Sequence, residues 1–139
     1  MTPASLLRRC GAIFYDALLL ASVLFVATLP VLSITQGEAV AASHLLFRGY
    51  LLAIGIAYFV VPWMRGGQTL GMLAWRVKVC RLDGDKLSMD IALARWALAI
   101  LSWLMFGLGF LVSVLDPRGR TLHDRWSGTI LITVPKAGD

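Results

Sequence analysis

Apolar residues in this chain run in long uninterrupted stretches. Charged residues are absent from Ala17 to Gly37, from Gly49 to Met64 and from Trp96 to Leu115, runs of 21, 16 and 20 residues. A helix that crosses a bilayer needs about 20 apolar residues, with a range of roughly 17–25. The first and third runs reach that length alone. The second reaches it when Leu45 to Phe47 join it and Arg48 extends its charged head to the lipid headgroups. The pattern predicts a short basic lead over 1–11, a first membrane helix over 12–32 and a second over 44–64. Pro30 and Pro62 lie near the far ends of the two helices, and a small polar loop with one charge, Glu38, joins them.

The pattern then changes. Residues 65–90 form a polar segment that opens with the glycine-rich Arg65-Gly66-Gly67-Gln68-Thr69-Leu70-Gly71, read as a tight turn. Trp75 to Leu82 alternate apolar and polar side chains, the period of a strand, and Asp83-Gly84 is a turn signal after it. Ser88 is placed to cap a third hydrophobic segment, 91–115, with Arg95 near its start. Gly107 and Gly109 interrupt its middle, and Asp116-Pro117 stops it. In the tail, 116–139, the β-branched run Thr129 to Val134 has strand character. Gly67-Gln68-Thr69-Leu70 is echoed 52 residues later by Gly119-Arg120-Thr121-Leu122, with a strand-like run about ten residues after each glycine. Each half therefore reads as a hydrophobic hairpin, a Gly-x-Thr-Leu turn and a strand.

Composition sharpens this picture. Hydrophobic residues make up 58% of the 139 and charged residues 15%. Soluble domains carry about 45–50% and about 25%. The fold class expected is an all-α membrane protein: two transmembrane helices, a third hydrophobic segment and a short cytoplasmic β-hairpin-like element, in one domain over 1–139. The net charge is +5, and the basic residues flank the apolar runs. That placement fits membrane orientation and anionic lipid contact, and excludes a nucleic-acid partner. Tryptophans at the predicted boundaries (Trp63, Trp75, Trp96, Trp126) suit the bilayer interface. The apolar stretch after Arg8 and Arg9 is too long for a signal-peptide core and ends well before the small residues Ala39-Val40-Ala41, so cleavage is not expected.

Lysine and arginine mark the cytoplasmic side of a membrane. Arg8 and Arg9 place the N-terminus inside, and Arg65, Arg76, Lys78, Arg81 and Lys86 place segment 65–90 inside. The third segment is long enough to cross, which would leave Arg118, Arg120, Arg125 and Lys136 outside, against the charge rule. Bending at Gly107–Gly109 and re-entering keeps the tail inside and lets strand 129–134 pair with strand 76–81. The bent form is preferred, and crossing stays open.

Asp16 stands about one turn inside the first helix. A carboxyl group within a membrane costs a few kcal/mol, so it is expected to have a partner and a purpose. It reads either as a packing contact or as a proton or cation site. Arg9 shares its helix face but lies about 10 Å away along the axis, too far for a direct pair. Arg95 is either a snorkelling anchor or a buried partner of Asp16 or Asp124. His123, Asp124 and Arg125 form a second polar cluster, read as the start of an interfacial helix with Asp124 in its first turn or as a titrating group. Cys10 and Cys80 are expected near the cytoplasmic boundary, where a disulfide does not form, and no metal-ligand spacing occurs. No phosphate loop, metal, cofactor or catalytic arrangement is expected, so no enzyme is.

Taken together, Arg8-Arg9 with Ala12 and Asp16, Gly67-Gln68-Thr69-Leu70-Gly71-Met72, Asp83-Gly84, Arg95, and Thr121-Leu122-His123-Asp124-Arg125 with Gly128-Thr129 resemble the RDD family of small bacterial membrane proteins. That family is named for one arginine and two aspartates, which fall here on Arg9, Asp16 and Asp124. The resemblance implies a membrane-embedded protein for which transport of unidentified ligands is suggested. The expected function is transport or ion coupling through Arg9, Asp16, Arg95, His123, Asp124 and Arg125. The alternative is a scaffold or accessory subunit of a larger membrane complex. The expected partners are the lipid bilayer and either further copies of the chain, in a homo-oligomer, or another membrane protein.

Overall fold

The computed structural model describes residues 2–36, 44–105, 112, 115–116 and 120–135. The Glu38 loop, the Gly107–Gly109 bend, Pro117 to Gly119 and Lys136 lie outside them. Helix α1 spans Leu6–Ile34 and α2 spans Leu45–Arg65. At 1.5 Å per residue they are about 43 and 31 Å long, enough to cross a bilayer. Helix α1 begins six residues earlier than the predicted 12, because the Ser5 hydroxyl caps it by accepting from the Arg8 amide. The basic lead is therefore helical from Leu6 onward. Pro30 and Pro62 are accommodated inside the helices, near their C-terminal ends. Along α1, Ser22, Thr28 and Ser33 each donate to the carbonyl four residues earlier, satisfying hydroxyls that lipid would leave unpaired.

Helices α1 and α2 run antiparallel. The Tyr50 hydroxyl donates to the Ala27 carbonyl, and the Tyr58 hydroxyl reaches Asp16. After α2 come the short α3 (Leu70–Ala74), strand β1 (Val77–Arg81), α4 (Met89–Leu104), the short α5 (Leu122–Trp126) and strand β2 (Thr129–Thr133). The two strands pair antiparallel, with Val79 opposite Leu131. The expected strand pair is present, but it is not a local hairpin: α4 and α5 lie between its strands. Thr2 to Ala4 line the other edge of β2, where the Ala4 amide donates to the Leu131 carbonyl and the Thr133 amide to the Thr2 carbonyl.

The repeat in the sequence is a repeat in space. Thr69 and Thr121 are the N-caps of α3 and α5. Each five-residue helix is followed by a five-residue strand, and one left-handed residue, Arg76 or Gly128, stands between them. All of these equivalences share the offset of 52, and the pair Val79–Leu131 maps onto itself. The sheet therefore has a local two-fold relation through that pair.

The buried core gathers at one end of the molecule. It comprises Ala12 of α1, Val60 and Trp63 of α2, Met72 of α3, Val77 and Val79 of β1, Ala92 of α4 and Leu131 of β2, with Ala4 and Leu87. The rest of α1 and α2 is bare. Beyond Asp16, α1 has no buried residue, and Phe25, Leu45 and Leu46 are 69%, 82% and 88% exposed. Each such side chain would cost about 1.5–3 kcal/mol in water relative to burial. A hydrocarbon phase removes that cost, so α1 and α2 are candidate membrane-spanning helices, with the core at one end of them.

Candidate ligand site: a charged cluster beneath an apolar cavity

The first turns of α1 carry Arg9 into the core end. Its Nε donates to the Ala4 carbonyl at 3.0 Å and its Nη1 to Asp124 Oδ2 at 3.0 Å. Asp124 is completely buried on α5. Its position follows from a capping box: the Thr121 hydroxyl accepts from the Asp124 amide, and Asp124 Oδ2 accepts from the Thr121 amide. Arg95, on the first turns of α4, donates through Nη1 to Asp124 Oδ1 and to the Thr129 hydroxyl at 2.6 Å. Its guanidinium also lies 5.3 Å from the centre of the Trp63 ring, within cation–π range. One carboxylate thus joins two arginines from opposite parts of the chain, all three at most 4% exposed. Among the described residues, Arg9 Nη2 and Arg95 Nε have no acceptor.

Asp16 has a separate set of partners. Its Oδ1 accepts from the Tyr58 hydroxyl at 2.8 Å and from the Gly71 amide at 3.0 Å, and its Oδ2 from the Thr69 hydroxyl at 2.5 Å. The same Thr69 hydroxyl accepts from the Met72 amide and so caps α3. The glycine at 71 is required by this approach. A Cβ there would stand 2.5 Å from the Ala12 carbonyl oxygen and 2.7 Å from Asp16 Cγ. Asp16 therefore pins α3 to α1 through neutral donors, and among the described residues no ion pair joins it to Arg9 or Arg95.

His123 is buried beside this cluster, and burial, then the Arg95 charge, push its imidazole down to about 4. It is neutral at pH 7. For Asp124, burial opposes ionisation. The charges of Arg95, His123 when protonated, and Arg9, with the Arg95 hydrogen bond, outweigh it and hold the carboxyl well below the usual range.

Arg9, Asp16, Arg95, His123 and Asp124 all line one cavity of about 260 Å³ between α1, α2, α4 and α5. Its walls are apolar and include Ile13, Leu20, Phe59, Trp96, Ile100 and Trp103. Of the six residues singled out in the sequence, Arg125 alone is elsewhere. It is exposed and lies 4.0 Å from Asp116, which also pairs with Arg120. Arg9 and Arg95 both pair with Asp124, and of the two partners considered for Arg95, Asp16 and Asp124, it is Asp124 that it meets. Sequence reasoning missed Tyr58, Thr69 and Gly71 as partners of Asp16. The threonine had a signal, because it is the repeated residue of both Gly-x-Thr-Leu turns.

Bare apolar helices and a charged cluster buried at their base define a small helical membrane protein. The chain belongs to the RDD family, whose family model matches residues 3–128. No curated protein and no solved structure matches it. The residues to which the resemblance assigned the family's arginine and two aspartates, Arg9, Asp16 and Asp124, all line the cavity.

Proposed function

We propose that this RDD protein is a multi-pass protein of the bacterial inner membrane with a cytoplasmic N-terminus, and that it moves or couples a small ion or solute through its charged cavity. The observation that carries the reading is the convergence of Arg9, Asp16, Arg95, His123 and Asp124 on one cavity, about 260 Å³ in volume, at the base of two candidate membrane helices. Groups of this kind are costly at membrane depth and mark ion and substrate pathways. The role is not catalytic. One copy has few helices with which to enclose a path, and the bare apolar flanks of α1 and α2 supply the surface on which further copies assemble. The pairing of β2 with β1 supports the bent form of the third segment, because the basic residues of the tail then stay with those of segment 65–90.

The test is flux. The protein is reconstituted into vesicles of bacterial polar lipid with trapped pyranine, and sodium, potassium or chloride gradients are imposed. Gradient-driven proton movement is expected, and Asp16→Asn is expected to abolish it. Absence of proton movement under all three gradients, or full proton movement in Asp16→Asn, overturns the reading. Co-purification of a stoichiometric second membrane protein together with absent flux would favour the accessory-subunit role instead.

A further inference from the structure

The charged floor of the cavity carries a surplus. Two guanidinium groups share one carboxylate, so the Arg9–Asp124–Arg95 cluster has a net charge of +1. His123 does not change this at pH 7, being neutral. Asp16 lines the same cavity, but its described partners are Tyr58, Thr69 and Gly71, so the surplus is local to the two arginines. Each arginine also keeps one buried nitrogen without an acceptor among the described residues, Arg9 Nη2 with its two N–H groups and Arg95 Nε with one. Unsatisfied donors on buried cations are expensive, and an anionic oxygen is the group that relieves them.

Above the floor the cavity is apolar. Ile13, Ala17 and Leu20 of α1 face Ala99, Ile100 and Trp103 of α4. From Arg9 to Leu20 the lining extends about 16 Å along α1. A small inorganic anion would satisfy the arginines and leave this wall unused. A neutral hydrocarbon would fill the wall and leave the arginines unsatisfied. The volume is slightly under the roughly 300–1,000 Å³ of drug-sized sites, which suits one chain rather than two.

We infer that the cavity binds an anionic amphiphile, with a carboxylate or phosphate-ester head on Arg9 and Arg95 and one apolar chain along α1 and α4. The inference names a ligand class for the site proposed above and rests on that reading only for the cavity. Binding is measured at equilibrium without flux, so the two fail separately.

Trp63, Trp96 and Trp103 line the cavity and serve as reporters, because bromine quenches indole fluorescence at short range. The full chain in dodecyl maltoside is titrated with 12-bromododecanoate and with its neutral counterpart 12-bromododecanol. Parallel titrations use brominated phosphatidylglycerol and brominated phosphatidylcholine. Saturable quenching by an anionic probe is expected at a concentration at least tenfold lower than for its neutral counterpart. Selectivity in the dodecanoate arm identifies a free amphiphile as the ligand source, and selectivity confined to phosphatidylglycerol identifies a bilayer lipid. Because Arg9 and Arg95 variants also break the buried cluster, the deciding variant is Ala99→Leu, which narrows the wall and leaves the charges alone. It should weaken anionic binding at least fivefold, while Gly49→Leu, where nothing lies within 4 Å of an added Cβ, should not. Equal quenching by anionic and neutral probes in both arms, or unchanged binding in Ala99→Leu, overturns the inference. So does displacement of bound dodecanoate by millimolar inorganic phosphate alone, which would mark a site for the head without the chain.

Discussion

Arg9 donates to Asp124 at 3.0 Å across 115 residues of chain, and the contact ties the start of α1 to α5. Arg95 holds the other oxygen of the same carboxylate from α4. Removing the shared acceptor leaves two buried cations without their counter-charge, which typically costs about 3–5 kcal/mol. Asp124→Asn is therefore expected to lower thermal stability in detergent sharply or to prevent folding. Asp83→Asn breaks the Arg81–Asp83 pair, whose side chains are 41% and 50% exposed, and is expected to cost less than about 1 kcal/mol. Thermal unfolding of the two variants side by side checks the contrast. Equal stability would mean that Asp124 is not the keystone of the core end.

Gly71 is set by the approach of α3 to Asp16. Gly71→Ala puts a methyl group 2.5 Å from the Ala12 carbonyl oxygen, and either α3 or α1 must shift. A loss of about 1–3 kcal/mol is expected from this overpacking. Gly49→Ala, on the exposed face of α2 with nothing near its added Cβ, is expected to be neutral or to stabilise by up to about 1 kcal/mol. Denaturation of both in the same detergent decides it, and the reverse order would place α3 elsewhere.

His123 gives the stability a dependence on pH. Its imidazole titrates near the ordinary 6.5 when unfolded and at about 4 when folded, held down by burial and then by the Arg95 charge. Between those values the unfolded chain binds the extra proton. Stability from this group is thus complete above about 6.5 and is lost as pH falls toward 4, by on the order of 3 kcal/mol. Asp124, held below its ordinary 3.8, contributes above that value and loses its share only at lower pH. Stability against unfolding, measured from pH 7 to 4, should fall for the natural chain and stay nearly flat over that interval for His123→Gln. Parallel slopes would remove His123 from the buried cluster.

The two cysteines separate by burial. Cys10 is exposed on α1, whereas Cys80 is buried in β1, where burial pushes its thiol up. A maleimide should label Cys10→Ala protein only after unfolding and Cys80→Ala protein at once. Rapid labelling of Cys80 in the folded protein would contradict the paired sheet.

Much of the fold was legible because its signals are local. Apolar run length marked α1, α2 and the start of α4, while alternation and the Asp83-Gly84 turn marked β1. The repeated Gly-x-Thr-Leu foreshadowed the matching α3 and α5. The early start of α1 was less legible, since Ser5 has no acidic or amide residue three positions on to complete a capping box. The site was legible in its residues but not in its pairings. Arg9, Arg95 and Asp124 stood out as charges among apolar neighbours, yet their union spans 115 and 29 residues and depends on how α5 docks. The partners of Asp16 were hidden for a different reason. A threonine, a tyrosine and a backbone amide carry no charge to draw attention to them.

Under the proposed function, the charged site assembled from both ends of the chain lies on the cytoplasmic face of the membrane. The direct measurement is thiol accessibility in a Cys10→Ala, Cys80→Ala background carrying Gln36→Cys, Asp85→Cys or Pro135→Cys. Gln36 lies just beyond α1, Asp85 just beyond β1 and Pro135 just beyond β2. On intact cells, an impermeant reagent is expected to label the cysteine at position 36 and to spare those at 85 and 135 until the membrane is opened. Labelling at position 135 in intact cells would put β2 and Asp124 on the far side from Arg9, and the site described here would not exist.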